Sequence, residues 1–424
     1  MKGIITLISI CIFYVAGAQQ KFTEATPESQ GFSTEKLQRI DNVMKEYIEQ
    51  GKITGTAFLI ARNGKIVYYR AVGYDDKEAK KGLKRDGIFR IASQTKAITS
   101  VGVMMLYEEG KILLDEPVSK YIHAFKNPQV LDKFNEKDTT YTTLPAKREI
   151  TIRDLLTHTS GIGYAQIGSK ESNAIYAKNN ITAGLGTSRT SLAEDIQKLG
   201  ALPLMHNPGE KFTYGLNTDV LGYLIEVVSG TTLDNFLRTK IFEPLGMVDT
   251  YFNVPVEKQD RIVYTYMPDS TGKLKKATGT YNVNGSVNID YPRSNSTYFS
   301  GGAGLSSTLY DYAVFMQMML NGGEYNGKRI LSRHSVRMMT TNQIGDLSLG
   351  DDKFGLGFAL VSAKGSAKSP APEGVYSWGG AFGTGYWIDP KEKIVALVYK
   401  QVWNDPAYES GEKFKVLVYN AMID

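Results

Sequence analysis

Cysteine is almost absent from this 424-residue sequence. The single cysteine, Cys11, lies in an apolar stretch near the N-terminus. One cysteine cannot form an intramolecular disulfide, and a mature chain without residues 1–18 would contain no cysteine at all. The sequence therefore excludes a disulfide framework, and for that mature chain also a cysteine nucleophile and thiolate metal ligands.

Histidine is also scarce, because the chain contains only His123, His158, His206 and His334. No two of them form the His-x-x-x-His pair that zinc enzymes use, so a metal site has no obvious ligands. We predict neither a metal nor an organic cofactor. Gly-x-Ser-x-Gly does not occur, which argues against a nucleophile-elbow hydrolase. His158 is a tempting general base, but a hydrogen-bonded histidine at a helix end is the plainer interpretation.

Strong charge of one sign and long apolar runs are missing too. The formal net charge is +5, with 42% hydrophobic and 22% charged residues, which is typical of a soluble globular protein. Basic clusters such as Lys80, Lys81, Lys84 and Arg85 lie in polar, glycine-containing stretches, as solvated loops do. We therefore expect no nucleic-acid partner.

The N-terminus has the composition of a secretory signal peptide. Lys2 is followed by an apolar run over residues 4–15 and then by Ala16, Gly17 and Ala18, a small-x-small cleavage site. The run is short for a membrane span, although an uncleaved anchor is the alternative. We expect a periplasmic or secreted protein with no membrane attachment once the signal is cleaved.

Patterns at the two ends of the chain predict strands that share one sheet. Ser33 is the expected N-cap of an amphipathic helix, and two β-rich runs flank Asn63-Gly64, a strong hairpin signal. The last third contains four more candidate strands and a final helix, at residues 358–361, 375–378, 386–388, 394–399 and 408–422.

The middle of the chain, residues 92–298, is predicted to form mainly helices and long polar connections. Thr151 begins a capping-box pattern, and residues 219–228 have helical spacing that ends near Gly230. Residues 265–297 are rich in Thr, Asn, Ser, Tyr and Gly. We predict that they form a long loop with the character of a lid.

Ser93 and Lys96 form the candidate catalytic pair. A spacing of three places both side chains on one helix face, one turn apart. The helix dipole and the lysine ammonium would both lower the free-energy cost of forming an alkoxide at Ser93.

The spacing alone is weak evidence, because it also occurs at residues 33–36, 270–273 and 410–413. Only the pair at 93–96 follows a strand-like run and opens a long apolar helix. Judged on this motif alone, Ser93 is as easily read as a helix N-cap as a nucleophile.

Several segments together resemble the serine β-lactamase and penicillin-binding-protein superfamily, in particular its class C β-lactamase-like members. They are residues 93–96 (SQTK), 150–162 (ITIRDLLTHTSGI), 208–214 (PGEKFTY) and 300–308 (SGGAGLSST). Their order and spacing hold from about Gly31 to the C-terminus, and this joint match is far more specific than any single motif.

The resemblance implies an α/β (α+β) fold: an antiparallel sheet flanked by helices, beside a mainly helical subdomain. We expect one serine hydrolase domain over residues 22–424. Its sheet subdomain would comprise residues 22–90 and 310–424, and its helical subdomain residues 91–309. The active site would lie between the two.

The resemblance also implies residue roles. Tyr214 would be the catalytic phenol that carries the proton from Ser93 to the leaving group, with its pKa lowered by Lys96.

The third motif of the superfamily is matched by Trp378, Gly379 and Gly380 on a strand beside the nucleophile. These residues would contact substrate, and the backbone N–H groups of Ser93 and Ala381 would form the oxyanion hole. The two glycines would allow close approach of the substrate to the strand.

Two departures from the family pattern concern substrate recognition. Asn217, a substrate-binding residue by resemblance, is displaced by one position from the usual Tyr-x-Asn spacing after Tyr214. Trp378 stands where β-lactamases carry a lysine for the substrate carboxylate, and an indole offers an apolar surface instead. This variant resembles the family VIII esterases.

The first functional interpretation is an exported esterase that forms an acyl-enzyme on Ser93. A β-lactamase, D,D-peptidase or D-amino-acid amidase is the alternative within enzymes, and a penicillin-binding-like sensor without turnover is the alternative outside them. The partner is a small ester, amide or β-lactam, and residues 164–190 and 265–297 are expected to shape its pocket. The sequence does not indicate an oligomeric state.

Overall fold

Short helices and strands alternate along the chain, and the computed structural model describes residues 21–182, 184–185, 190–282 and 286–424. The predicted signal peptide and Cys11 lie outside the described residues. The helices are α1 Thr34–Glu49, α2 Thr95–Glu108, α3 Ile152–Leu156, α4 Lys170–Lys178, α5 Leu192–Gly200, α6 Asn217–Ser229, α7 Leu233–Leu237, α8 Glu243–Leu245, α9 Leu309–Leu320, α10 Arg333–Met339, α11 Ala363–Ser366 and α12 Glu409–Asn420.

The strands follow the same chain order. They are β1 Thr23–Glu24, β2 Gly55–Arg62, β3 Lys65–Asp76, β4 Lys81–Gly82, β5 Phe89–Arg90, β6 Gln129–Phe134, β7 Tyr141–Pro145, β8 Tyr266–Pro268, β9 Leu274–Lys276, β10 Thr280–Asn282, β11 Ser286–Asn288, β12 Ser306–Ser307, β13 Glu324–Tyr325, β14 Lys328–Arg329, β15 Lys353–Phe354, β16 Ala359–Leu360, β17 Tyr376–Gly380, β18 Thr384–Asp389 and β19 Ile394–Tyr399.

The Asn63-Gly64 turn sets the first hairpin. Both residues have positive φ, 54° and 73°, which a type I′ turn requires and which Asn and Gly adopt most readily. The turn joins β2 and β3 as an antiparallel pair. The hairpin predicted from the sequence is confirmed.

The main sheet is built from both ends of the chain. Its strand order is β1-β3-β2-β19-β18-β17-β16-β15, with β4 paired to β3. The first and last thirds of the chain meet at the β2–β19 pair, whose register runs from Arg62 opposite Ile394 to Ala57 opposite Tyr399. The predicted sharing of one sheet is therefore confirmed.

Alternating side chains of the central strands are buried on both sheet faces. From β2, Leu59 belongs to the large core cluster that includes α2 and α9, whereas Phe58 belongs to a second cluster with α1 and α12. Ser33 caps α1 by accepting a hydrogen bond from the Lys36 amide, as its sequence context predicts. The sheet is thus covered by helices on both faces, and no helix within the described ranges is long and apolar enough to cross a bilayer.

Residues 265–297 differ from the predicted structureless loop. Two short antiparallel hairpins, β8–β9 and β10–β11, form within this segment. Tyr266 explains the first of them, because its side chain is buried and its hydroxyl accepts from the Lys77 amide and donates to Glu78. This anchoring to the turn after β3 could not be predicted from local composition.

The capping box at the start of α3 stabilises residues 148–159, which lie beside the site. The Thr151 hydroxyl accepts from the Asp154 amide at 3.1 Å, and Asp154 Oδ2 accepts from the Thr151 amide at 2.8 Å. The buried carboxylate also accepts two hydrogen bonds from Arg148 and one from the Thr159 hydroxyl. One acidic side chain therefore satisfies a helix end, a guanidinium and the turn that follows α3.

We expect Asp154→Ala to lower the free energy of unfolding by about 2–3 kcal/mol, because it removes a cap and leaves buried donors unpaired. Urea unfolding followed by circular dichroism measures this change. Glu35→Ala is the control, since Glu35 makes an exposed ion pair with Arg39 in the first turn of α1 and should lower the midpoint far less. Equal effects of the two substitutions would contradict the role given to Asp154.

Candidate active site

Ser93 lies on a tight turn between β5 and α2. The turn Ala92–Gln94 is a 3-10 helix that runs directly into α2, so Ser93 precedes the first α-helical turn instead of lying within it. Ala92 has φ 43°, an unusual value for a residue other than glycine. The Thr95 hydroxyl donates to the Ala92 carbonyl at 2.6 Å and holds this conformation. The Ser93 side chain is left half-buried at the wall of a cavity.

Lys96 is buried one turn further on and has three hydrogen-bond acceptors. Its Nζ donates to the Gly302 carbonyl at 2.7 Å, to the Tyr164 hydroxyl at 3.0 Å and to Ser93 Oγ at 3.4 Å. An ammonium has three N–H donors, so every donor is used. The predicted proximity of Ser93 and Lys96 is confirmed, and the amine has a fixed position beside the hydroxyl.

Asp219 supplies a second buried charge near the lysine. Ser300 Oγ donates to its Oδ1 at 2.5 Å, while Oδ2 has no hydrogen-bond partner among the described residues. Burial raises the pKa of Asp219, and the positive charge of Lys96 is the largest influence in the opposite direction.

Gly302 is the point at which Asp219 and Lys96 approach the same backbone. A Cβ at Gly302 would lie 2.4 Å from Asp219 Oδ2 and 3.4 Å from Lys96 Nζ. Only glycine leaves room for both groups here.

Tyr214 is held between aromatic rings and the lysine. Its ring centroid lies 4.7 Å from Lys96 Nζ, 5.4 Å from the Tyr164 centroid and 5.4 Å from the Trp378 centroid. Gly215 fixes the chain beside it, because a Cβ there would lie 1.9 Å from the Ile162 carbonyl oxygen. The side chain is only half-buried and lines the same cavity as Ser93.

Strand β17 forms the opposite wall of the cavity. Trp378, Gly379, Gly380 and Ala381 line it together with Ser93. Gly380 permits this approach, since a Cβ there would lie 2.3 Å from the Ile91 carbonyl oxygen. The sequence-predicted third motif therefore lies beside the nucleophile turn.

The cavity has a volume of about 750 Å³, which is within the range of small-molecule sites. Within the described ranges, no three His, Cys, Asp or Glu side chains are grouped as metal ligands would be.

Asn217 does not line the cavity, which corrects its predicted contact with substrate. The side chain is fully buried, its Oδ1 accepts from Ser160 Oγ at 2.5 Å, and its Nδ2 lies 2.9 Å from His158 Nδ1. The displacement by one position after Tyr214 places it in the first turn of α6, facing the protein interior. It links α6 to the turn after α3.

His158 is likewise a structural residue. Its ring centroid lies 4.9 Å from that of Tyr214, and burial followed by the charge of Lys96 lowers its pKa well below the ordinary value. A neutral imidazole that is bonded to Asn217 and packed behind Tyr214 agrees with the hydrogen-bonded role inferred from the sequence.

Two residues of the site were not identified from the sequence, Tyr164 and Asp219. Tyr164 lies directly after the distinctive segment 150–162, and it was considered only as the start of a pocket-shaping stretch. Asp219 is an acid on the buried face of an apolar helix, which is the one available signal of a special role. Neither signal is specific enough to assign a partner before the fold is known.

The chain is similar to known proteins over most of its length. The family model described as Beta-lactamase matches residues 40–419. Esterase EstB of Burkholderia gladioli is 26% identical over 83% of this chain and 86% of its own length. A proposed D-alanyl-D-alanine carboxypeptidase of Escherichia coli K12 is 27% identical over 99% of this chain and 96% of its own length.

Among solved structures, EstCE1, described as a hydrolase with promiscuous acyltransferase activity, has a TM-score of 0.77 and 26% identity. The match covers 91% of this chain and 99% of that one.

The lowered pKa of His158 predicts a pH dependence of stability. Below about pH 6.5 the unfolded chain binds a proton at this imidazole that the folded protein does not bind, so stability falls as the pH drops. We expect His158→Asn to reduce the slope of the free energy of unfolding between pH 6.5 and 5, measured by urea titrations. Ser270→Ala, which retains the imidazole, should keep the original slope. An unchanged slope in His158→Asn would contradict the prediction.

Proposed function

This chain belongs to the beta-lactamase family and is a serine hydrolase, and we propose that its reaction is the hydrolysis of carboxylic esters through an acyl-enzyme on Ser93. The observation that carries the ester preference is Trp378 in the cavity wall, 5.4 Å from the Tyr214 ring. An indole at this position offers apolar surface and no positive charge for a substrate carboxylate. The relative named as an esterase supports the same class of substrate.

Acylation uses the groups around Lys96. Ser93 Oγ attacks the ester carbonyl carbon, and its proton passes to Tyr214, which reacts as a phenolate beside the Lys96 ammonium. The tetrahedral oxyanion accepts hydrogen bonds from the backbone N–H groups of Ser93 and Ala381. When the carbon–oxygen bond to the alcohol breaks, Tyr214 returns the proton to the leaving oxygen, and the acyl group remains on Ser93.

Deacylation reverses these roles. A water molecule enters the position of the departed alcohol and attacks the acyl carbon, while Tyr214 accepts its proton. Collapse of the second tetrahedral intermediate releases the acid and returns the proton to Ser93. The reaction needs no group beyond the side chains and backbone already described.

Tyr214 is favoured over Tyr164 as the proton carrier. Burial, followed by the neighbouring Tyr214 and Asp219, raises the pKa of Tyr164, which keeps that phenol protonated. Tyr164 is also absent from the cavity wall, whereas Tyr214 and Ser93 both line it. Tyr164 instead accepts a hydrogen bond from Lys96 and orients the ammonium.

A second candidate function is hydrolysis of cell-wall peptides, β-lactams or D-amino-acid amides. The proposed D-alanyl-D-alanine carboxypeptidase of Escherichia coli, which aligns over nearly the whole chain, favours it. The acylation chemistry would be the same up to the leaving group. A sensor without turnover is disfavoured, because Ser93, Lys96 and Tyr214 are all present in one assembled site.

Export is part of the proposal. The charged start, short apolar run and small-x-small site at the N-terminus support removal of residues 1–18 and a periplasmic or secreted location.

Replacement of the nucleophile tests the mechanism. We expect Ser93→Ala to lower kcat/KM for p-nitrophenyl acetate by at least about a thousandfold while the circular dichroism spectrum is retained. Ser270→Ala is the matched control, since Ser270 also precedes a lysine by three positions but lies exposed on a turn, and it should retain full activity. Substantial ester hydrolysis by a folded Ser93→Ala variant would refute the mechanism.

The role of Trp378 is tested by restoring the family's usual lysine. We expect Trp378→Lys to raise the ratio of kcat/KM for a chromogenic cephalosporin to that for p-nitrophenyl acetate by about tenfold, because an ammonium attracts the cephalosporin carboxylate. Trp378→Met removes the indole without adding charge and should shift this ratio far less. Equal ratios in the two variants would show that charge at this position does not decide the preference.

A further inference from the structure

The cavity at Ser93 extends well beyond the catalytic groups. Its lining continues from Trp378 to Trp387 and Val398 in the sheet, and to Tyr408 at the start of α12 and Lys415 within it. The chemistry described above involves none of the last four residues. One continuous cavity therefore connects the nucleophile with the sheet face that α12 covers.

The edge of β17 provides the connection. Strand β16 pairs with β17 only at Tyr376 and Ser377, so the backbone from Trp378 to Gly380 has no strand on its outer side. Trp378 packs with the core on the nucleophile side of the sheet, whereas Ser377 and Gly379 face the opposite side, because successive residues of a strand alternate. A ligand can pass around this open edge from one face to the other.

The sheet surface beneath this extended part of the cavity lacks side chains where two glycines lie opposite each other. Gly379 pairs with Gly385, and Gly385 in turn pairs with Val398. The nearest atom to a Cβ built at Gly385 is Val398 Cγ1 at 3.9 Å, so no neighbouring side chain fills the space. Trp387, two positions further on, packs against Phe414 and closes the floor at that end.

The N-terminal half of α12 forms the far wall. Tyr408, directly before the helix, and Gly411 and Lys415 on it follow one another at spacings of three and four, and nothing lies within 4 Å of a Cβ built at Gly411. Tyr408 is largely exposed, and Glu412, which accepts a hydrogen bond from Lys415, gives this wall a polar rim. Buried Lys400 fixes this wall, because its Nζ donates to the Ala407 carbonyl at 2.9 Å and to Ser410 Oγ at 2.8 Å. The space between α12 and the main sheet is therefore a groove whose helical wall is held in place by hydrogen bonds.

We propose that this groove, formed by Gly379, Gly385, Val398, Tyr408 and Gly411, holds the extended apolar portion of the ester whose carbonyl lies at Ser93. The inference rests on the proposed ester hydrolysis and deepens it by naming the substrate class: esters with a long alkyl or aryl chain on the acid or the alcohol side. Two glycines and apolar side chains make a floor that suits such a chain. Its continuity with the nucleophile makes the substrate itself the fitting occupant.

Chain-length selectivity tests this assignment. We would measure kcat/KM for p-nitrophenyl esters from acetate to decanoate, and for alkyl acetates of increasing chain length with acetate release as the readout. One of the two series should rise by up to about fourfold per methylene until the groove is filled. Gly385→Leu should lower the ratio of long-chain to short-chain kcat/KM in that series by at least about tenfold.

Gly411→Leu would fill the groove from the side of α12. It is the variant to measure if Gly385→Leu does not fold. Gly82→Leu is the matched control: this strand glycine is also open around its Cβ but lies outside the cavity, so its selectivity should equal that of the unmodified protein. An unchanged ratio in the folded groove variants, in both ester series, would overturn the groove assignment and leave ester hydrolysis standing. Absence of any Ser93-dependent ester hydrolysis would overturn both proposals.

Discussion

The site depends on the three hydrogen bonds of one buried ammonium. Lys96 Nζ donates to the Gly302 carbonyl, to the Tyr164 hydroxyl and to Ser93 Oγ, and these partners come from three distant parts of the chain. A charge with every donor paired is tolerated in the interior, whereas an unpaired one is very costly. The need to pair every donor of the Lys96 ammonium therefore holds the segments at residues 93, 164 and 302 in one arrangement.

The surroundings of Tyr214 follow from the same requirement. The residues that pack around its ring, His158, Tyr164 and Trp378, come from the turn after α3, the segment that follows it and strand β17. Asp219 adds a buried carboxylate on α6, whose first turn is tied to the α3 segment through Asn217. Structural polar groups behind the site thus hold fixed the groups that face the cavity. This is the preorganisation that electrostatic catalysis needs.

The proposed specificity of the site rests on apolar surface and on missing side chains. Trp378 replaces a charge with an indole at the cavity wall, and the facing glycines Gly379 and Gly385 leave room across the sheet. Both features support the proposed preference for substrates without a carboxylate. They lead to the same expectation, that an apolar ester is the substrate.

The sequence by itself determined the local features and the proximity of the candidate catalytic pair. Asn63-Gly64 specified a hairpin and Thr151 a capping box because each depends on a few adjacent residues. The spacing of three brings Ser93 and Lys96 together through the 3-10 turn that leads into α2. The family resemblance then extended this to Tyr214 and to the strand at Trp378.

Only the tertiary structure decided where the remaining residues of the site and of the groove lie. It placed Asn217 in the interior, Asp219 and Tyr164 beside the lysine, and α12 above two bare glycines. Burial, hydrogen bonding and open space depend on segments that are tens to hundreds of residues apart in the chain, so no local pattern in the sequence can report them.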